Sequence, residues 1–322
     1  MSAPQHSTPV PGNQTGPAKK PLHVKIPWAT LRPEELHYVP CNICGSFDFT
    51  ALAPLMINEI EFLLVECKNC ELIWRNPLPG ETFTSSLYTR NYYSVPRALR
   101  DQVGIADTDL ADKQFRDSIS AQVVQSWVEL GIKSEGPLGE PKKLLEIGGG
   151  GGHLQKAAAA QGWDTLGLEI SAHAVREASK EGLNVWPLPL DSVGKGNSRF
   201  RDNFDVIVFY DLLEHVDDPG DFLRMIRSML ADNGNIIFRV PETTRLPTLH
   251  LADHTWHFST PALRRLLRKA GLTVWHGHYS GPFSSTSGGD YMNNMTIYAR
   301  KCEAGKQNDC PEISLAPNPL GI

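Results

Sequence analysis

Leu144-Leu145-Glu146-Ile147-Gly148-Gly149-Gly150-Gly151-Gly152-His153 is an apolar run that ends in five consecutive glycines, followed by an alanine-rich segment. The spacing predicts a short buried strand over Lys143–Ile147 and a helix over Leu154–Gln161. Glycines between the two let the backbone turn tightly and approach a ligand without a Cβ in the way. The helix that follows offers unpaired N–H groups and the positive end of its dipole. Dinucleotide-binding folds also carry such a loop, so the glycines alone do not identify what is bound.

Two acids narrow the choice. Glu146 stands at the strand end, two residues before Gly148. A pyrophosphate would be repelled there, whereas a cationic sulfonium carrying an amino-acid ammonium would be attracted. Glu169 follows 23 residues later, at the end of the next apolar run, Asp164–Glu169. An acid in that place can accept hydrogen bonds from both hydroxyls of a ribose.

Outward from this loop, strand and helix patterns alternate. Ser171 caps a helix that ends before Gly182, and Asn184–Leu188 reads as a third strand. Phe204–Tyr210 is almost wholly apolar, as expected of a strand covered on both faces. Asp218 and Pro219 open a helix that Gly234 closes, and Asn235–Val240 is the next strand. Thr260 and Pro261 open another helix, ended by Gly271, before strands at Leu272–Trp275 and Met295–Ala299. Upstream, Phe115, Ile119, Val123, Trp127 and Leu130 share one face of a helix over about Asp109 to Gly131. The alternation predicts an α/β fold with a mostly parallel sheet covered by helices on both sides.

With these motifs in place, the region from about Lys142 to Arg300 resembles class I S-adenosylmethionine (SAM)-dependent methyltransferases. Glu146, Gly148, Gly150 and Gly152 match their first motif. Phe204 to Pro219 resembles their fourth strand and the loop after it. Met229 to Asn235 resembles the turn before their fifth strand, and His254 to Ser259 with the following helix fits the subgroup of small-molecule and quinone enzymes. The resemblance implies a Rossmann-like seven-stranded sheet with one antiparallel strand and SAM lying across the strand C-termini. It places Glu146 and the three motif glycines at the methionine end of that cofactor, Glu169 at the ribose and Asp191 at the adenine amino group. Tyr210, at the end of the fourth strand, is expected to touch the cofactor through its ring.

A second unit precedes this one. Cys41-Asn42-Ile43-Cys44 and Cys67-Lys68-Asn69-Cys70 are two Cys-x-x-Cys pairs with 22 residues between them. Four thiolates so spaced satisfy tetrahedral zinc and leave no open position, which makes the ion structural. The segment, continuing through Trp74 to Tyr88 and Tyr93, looks like the zinc-binding domain that precedes the methyltransferase domain of sugar C-methyltransferases. One residue departs from that pattern: Glu71 follows the last cysteine where glycine is usual, which weakens the turn but not the ligand set. The expected organisation is a disordered tail over 1–35, a zinc ribbon over 36–100, a linking helical segment over 101–140, the methyltransferase domain over 141–301 and a flexible tail over 302–322.

Methyl transfer to a hydroxyl or an acidic carbon needs a base, and histidine suits that near neutral pH. The candidates follow the fourth and fifth strands: Tyr210, Glu214, His215, His254 and His257, with His215 first among them. The 322 residues carry a formal charge of −5, 41% hydrophobic residues and no apolar run of membrane-spanning length. This composition argues against a nucleic-acid partner and a membrane partner and makes a cytoplasmic protein the default. The resemblance implies an enzyme with a small-molecule acceptor such as a nucleotide sugar or a natural-product intermediate. The alternatives are a nucleic-acid methyltransferase with a zinc ribbon, and a non-catalytic binding protein of the same fold. Base N-methyltransferases tend to carry Asn-Pro-Pro-aromatic after the fourth strand, where this chain reads Tyr210-Asp211-Leu212-Leu213. The sequence carries no signal for oligomeric state.

Overall fold

The computed structural model describes residues 22–88, 113–188, 200–242, 253–283, 292–302 and 316–317. Asp191, Tyr92 and Tyr93 lie outside the described residues.

Two sheets organise the chain. The first is built from β1 (Leu22–Val24), β2 (Phe49–Ile57), β3 (Ile60–Cys67) and β4 (Ile73–Asn76), and is followed by helix α1 (Glu81–Leu87). The second begins after helix α2 (Lys113–Glu129). It contains β5 (Lys143–Ile147), β6 (Asp164–Leu168), β7 (Val185–Trp186), β8 (Phe204–Tyr210) and β9 (Leu230–Pro241). Helices α3 (His153–Ala160), α4 (Ala172–Lys180) and α5 (Pro219–Met229) connect these strands. After β10 (Trp256–His257) and α6 (Thr260–Lys269), β11 (Leu272–Phe283), β12 (Met292–Lys301) and β13 (Ala316–Pro317) complete the order.

The large sheet runs β13-β11-β12-β9-β8-β5-β6-β7. Strands β5 to β9 pair in parallel, and β12 alone runs against its neighbours β9 and β11. This is the expected seven-stranded arrangement, with the two-residue β13 added parallel to β11. The strand order reverses between β5 and β8, so a crevice opens beyond their C-terminal ends. The apolar run of β8 lies at the centre, with Phe204, Val206, Ile207, Val208 and Phe209 all buried.

Local sequence explains the helix starts. Ser171 Oγ accepts from the Ala174 N–H, and Asp218 Oδ1 accepts from the Asp221 N–H with Pro219 as first helical residue. Helix α6 is capped by Ser259, one residue before the expected Thr260 start. Gly234 does not close α5. The helix stops at Met229 and the chain extends at once into β9, where a Cβ at Gly234 would lie 2.7 Å from Leu230. Phe115 was expected on the buried face of α2, yet it is 55% exposed. Only the C-terminal half of that helix, through Val124 and Trp127, packs on Leu144, Leu154 and Ala158.

Both expected tails contain paired strands. Leu22–Val24 aligns with Leu55–Ile57, and the Asn58 side chain fastens the following turn by hydrogen bonds to Ile26 and Ala29. Ala316–Pro317 pairs with His278 and Tyr279. Composition suggested disorder at both ends because a few apolar residues, such as the fully buried Ile26, do the anchoring.

The small sheet takes its fifth strand from far along the chain. β10 lies antiparallel on β4, with Trp256 opposite Trp74 and His257 opposite Ile73. The two tryptophans stack with ring centroids 6.3 Å apart, and Phe49 meets Trp74 edge-on at 5.7 Å. One hydrophobic core therefore runs from Cys41 and Trp74 through Trp256 to Phe209 and Leu145.

Candidate active site

The crevice at the strand reversal is lined by acids. Glu146 is 6% exposed, and its Oε2 accepts the Gln155 N–H at 3.0 Å, clamping β5 to the first turn of α3. Burial, joined by the charge of Glu169, pushes Glu146 up to about 7. Glu169, also buried, accepts the Gly150 N–H at 2.9 Å and the Ser171 N–H at 2.7 Å. The acid at the end of β6 thus fixes the glycine loop as well as facing the crevice.

The loop itself needs glycine for two reasons. Gly148, Gly150 and Gly152 all have positive φ, between 54° and 74°. Gly149 has no such constraint, but a Cβ there would stand 2.5 Å from the Glu146 carboxyl carbon. At Gly148 a Cβ would meet Leu212 at 3.3 Å, so the turn after β8 rests directly against the loop. His153 and Lys156, at the start of α3, reach Asp117 of α2 at 2.6 and 2.9 Å, which holds that helix over the same end of the sheet.

The turn after β8 gathers the other candidates. Asp211 has φ of 50° and pairs through both carboxylate oxygens with Arg239, whose guanidinium lies 5.2 Å over the Tyr210 ring. Burial drives the Tyr210 hydroxyl far above its ordinary value, which favours its protonated form near neutrality. Glu214 is 1% exposed, and neither of its carboxylate oxygens has a hydrogen-bond partner among the described residues. Burial first, and Asp211 beside it, raise Glu214 well above the usual carboxylate range.

Two histidines face that carboxylate. His215 Nε2 lies 3.9 Å and His254 Nε2 lies 4.0 Å from Glu214 Oε1, with the two rings edge-to-face at 4.7 Å. His215 Nδ1 sits 2.8 Å from the Asp253 carbonyl oxygen. A carbonyl only accepts, so Nδ1 carries the proton in the neutral ring and Nε2 carries the lone pair. Burial lowers His254 to about 4, which keeps it neutral. His257 stands one step aside, in β10, with its ring 6.3 Å from His254.

Sequence reasoning missed the groups that hold this cluster in place. Arg75 of β4 is 1% exposed, and burial lowers it to about 10. Its guanidinium donates to Thr255 Oγ1 and its backbone N–H to the Thr255 carbonyl, both at 3.0 Å. The Glu214 carbonyl accepts from the N–H groups of Thr255 and Trp256. An arginine in Ile73-Trp74-Arg75-Asn76 reads from sequence as a solvated edge charge, and nothing local signals a partner 180 residues away.

The cysteine site is consistent with the ligand set read from the sequence. The four Sγ atoms of Cys41, Cys44, Cys67 and Cys70 all lie within 4.8 Å of one another. Tetrahedral zinc with Zn–S of about 2.3 Å needs sulfur separations near ~3.8 Å, so a donor set this close is compatible with the ion. Each knuckle turns in the same way: the Gly45 N–H donates to the Cys41 carbonyl and the Glu71 N–H to the Cys67 carbonyl. Glu71 adopts φ of 59°, close to the 75° of Gly45, so the departure from glycine is absorbed as backbone strain and not as a different turn.

The knuckles dock on the large-sheet helices. Asn42 Oδ1 accepts from the Gly220 N–H, the Ile43 carbonyl from Lys269 Nζ, and the Asn69 carbonyl from Arg265. No helix among the described residues is long and apolar enough to cross a membrane.

Residues 123–277 match the family model described as a methyltransferase domain. The mitochondrial ubiquinone biosynthesis O-methyltransferase of Schizosaccharomyces pombe is 32% identical over 126 residues, which is 35% of this chain and 44% of that protein. The ubiquinone biosynthesis O-methyltransferase of Histophilus somni is 31% identical over 104 residues, 30% of this chain and 44% of that one. The chain spans about half the length of the curated relatives it matches. Among solved structures, a SAM-dependent methyltransferase from Leishmania major aligns with a TM-score of 0.47 at 17% identity, covering 67% of this chain and 82% of that one. The family match contains Glu146, Glu169, Tyr210, His215, His254 and His257, and leaves the four cysteines outside.

Proposed function

We propose that this chain, whose residues 123–277 form a methyltransferase domain, transfers a methyl group from SAM to a small-molecule acceptor. The observation that carries the reading is the pair of buried acids, Glu146 and Glu169, at the ends of adjacent parallel strands on either side of a left-handed glycine turn. An acidic crevice suits a ligand with a sulfonium and an ammonium, and is wrong for a pyrophosphate. Glu146 and the glycines take the methionine end in this reading. Glu169 takes the ribose, as the acid that follows the neighbouring parallel strand. Asp191 is retained as the adenine contact on the resemblance alone.

When bound, SAM supplies an electrophilic methyl carbon; the C–S electron pair stays on sulfur as the new bond to the acceptor forms. The chain must then orient the acceptor, exclude water and take up the acceptor proton. We assign the acceptor end to Glu214, His215 and His254, which stand beside the glycine loop through the Gly148–Leu212 contact. His257 serves instead to pack β10 on β4. Relatives named for O-methylation in ubiquinone biosynthesis favour oxygen as the acceptor atom and a small molecule over a nucleic acid. The four-cysteine site is assigned to structural zinc.

Calorimetric titration with SAM tests the reading. Binding is expected for the full chain, and Glu169→Ala is expected to weaken it at least ~10-fold, since charge-assisted hydrogen bonds contribute about 1.5–3 kcal/mol. No binding of SAM, or preferential binding of a nicotinamide dinucleotide, would overturn it.

A further inference from the structure

Glu242 is a buried acid outside both the glycine turn and the Glu214 cluster. It follows directly on β9, beyond Arg239, which pairs with Tyr210 at the end of β8. At about 3.3 Å per residue, the extended chain sets Glu242 roughly 10 Å past that end, on the edge of the sheet where the crevice opens. A backbone bridge pairs Glu242 with Phe258, directly after β10. The segment that carries His254 and His257 therefore runs alongside it.

Three side chains meet there. The Tyr279 hydroxyl of β11 donates to Glu242 Oε1 at 2.9 Å, and the Thr260 hydroxyl, at the start of α6, reaches the same oxygen at 3.2 Å. The two hydroxyls stand 3.3 Å apart. This staple joins β9, α6 and β11 through Oε1 alone. Oε2 accepts from no group among the described residues, although Glu242 is only 8% exposed. A carboxylate offers about four lone-pair sites, and a buried one served on a single oxygen is costly until a donor meets the other.

We propose that Glu242, held by Tyr279 and Thr260, determines acceptor specificity: Oε2 takes a hydrogen bond from a second donor on the acceptor, a hydroxyl or an ammonium, and the carboxylate turns away acceptors that carry an anionic group. The contact rests on the methyltransferase reading, which places the acceptor at this end of the crevice. One end of the acceptor presents its reacting hydroxyl to Glu214, His215 and His254, and the other end is read by Glu242. A carboxylate or phosphate at the second position would face a buried like charge and find no proton to share. Of the acceptors expected from the sequence, a nucleotide sugar carries a pyrophosphate and is disfavoured. A neutral or cationic molecule with two separated donor groups fits.

The test is calorimetric titration of the full-length, zinc-loaded chain with four phenols: hydroquinone, phenol, para-(aminomethyl)phenol and para-hydroxybenzoate. One aromatic ring with a hydrogen bond of about 3 Å at either end has the required reach. Hydroquinone or para-(aminomethyl)phenol is expected to bind at least ~10-fold tighter than phenol, the fold-change of one charge-assisted hydrogen bond. The two arms show which donor the site takes, and para-hydroxybenzoate is expected to bind more weakly than phenol. In Glu242→Gln the preference for hydroquinone over para-hydroxybenzoate should vanish, which loss of a structural staple alone would not cause. Circular dichroism shows whether the variant is folded. Should Glu242→Gln not fold, Glu242→Asp, which draws the carboxylate back by one methylene, should lose the preference for hydroquinone over phenol. A parent chain that binds all four alike or none of them, or a folded variant that keeps the parent's preference, overturns the proposal. SAM titration of the same samples separates the two readings: SAM binding without a preference among the phenols removes only the Glu242 contact, and a preference without SAM binding removes only the methyltransferase assignment.

Discussion

Glu146 is the residue whose environment most constrains how the crevice behaves. Held at about 7 by burial and by Glu169, it binds a proton in the folded state that it has already released in the unfolded one. Stability from this group therefore falls as pH rises from its ordinary value of 4.5 to about 7, and is level above that. A cationic ligand favours the ionised form, so SAM affinity should increase as pH climbs through about 7, with release of a proton. Calorimetry in two buffers of different ionisation heat reads that release directly. Glu146→Gln should abolish it, and equal heats for the parent chain would refute the link. Glu71 gives a second test at this scale. With φ of 59° it bears a left-handed cost of about 1–2 kcal/mol that glycine does not, so Glu71→Gly should raise the melting temperature. The acids and glycines of the crevice were legible in the sequence because strand, turn and helix follow one another within ten residues. Arg75 and Asp253 were not, since their meaning comes from partners brought together by the fold.

At the scale of elements, the alternating strands and helices were readable almost throughout, because each carries its own period and caps. Misreadings fell where tertiary packing overrides local pattern: Gly234 sits in a strand, and Phe115 is more than half exposed. The least legible element was β10. Two residues, Trp256 and His257, are too few for any periodicity, yet they close the small sheet and position His254. Trp256 is 1% exposed, stacks on Trp74 and donates its ring N–H to the Val216 carbonyl at 2.7 Å. Trp256→Ala should cost about 3–5 kcal/mol. Beyond the lost stability, it should loosen the turn that carries Glu214, because the ring N–H it removes holds the Val216 carbonyl two residues further on. Denaturant unfolding of the variant and the parent chain measures the first effect.

For the whole molecule, two sequence units share one core. The hydrophobic cluster runs unbroken from the cysteine knuckles to the central strand β8, and the knuckles hydrogen-bond to residues of α5 and α6. Zinc at the four cysteines should thus stabilise the entire chain. Elemental analysis should find about one zinc per chain, since four thiolates complete one tetrahedral site. Removing it with a chelator should shift one cooperative thermal transition downward in calorimetry. A separate early transition, with the main one unmoved, would show that the units are energetically independent.

The place of β10 in the chain also bears on synthesis. The ribosome releases β4 long before residues 256 and 257, so the outer edge of that strand waits, unpaired and flanked by Trp74, while some 180 further residues emerge. Sheet edges in that state recruit other chains. Until residues 256 and 257 are made, that edge is the exposed feature of the strand that pairing with β10 later covers.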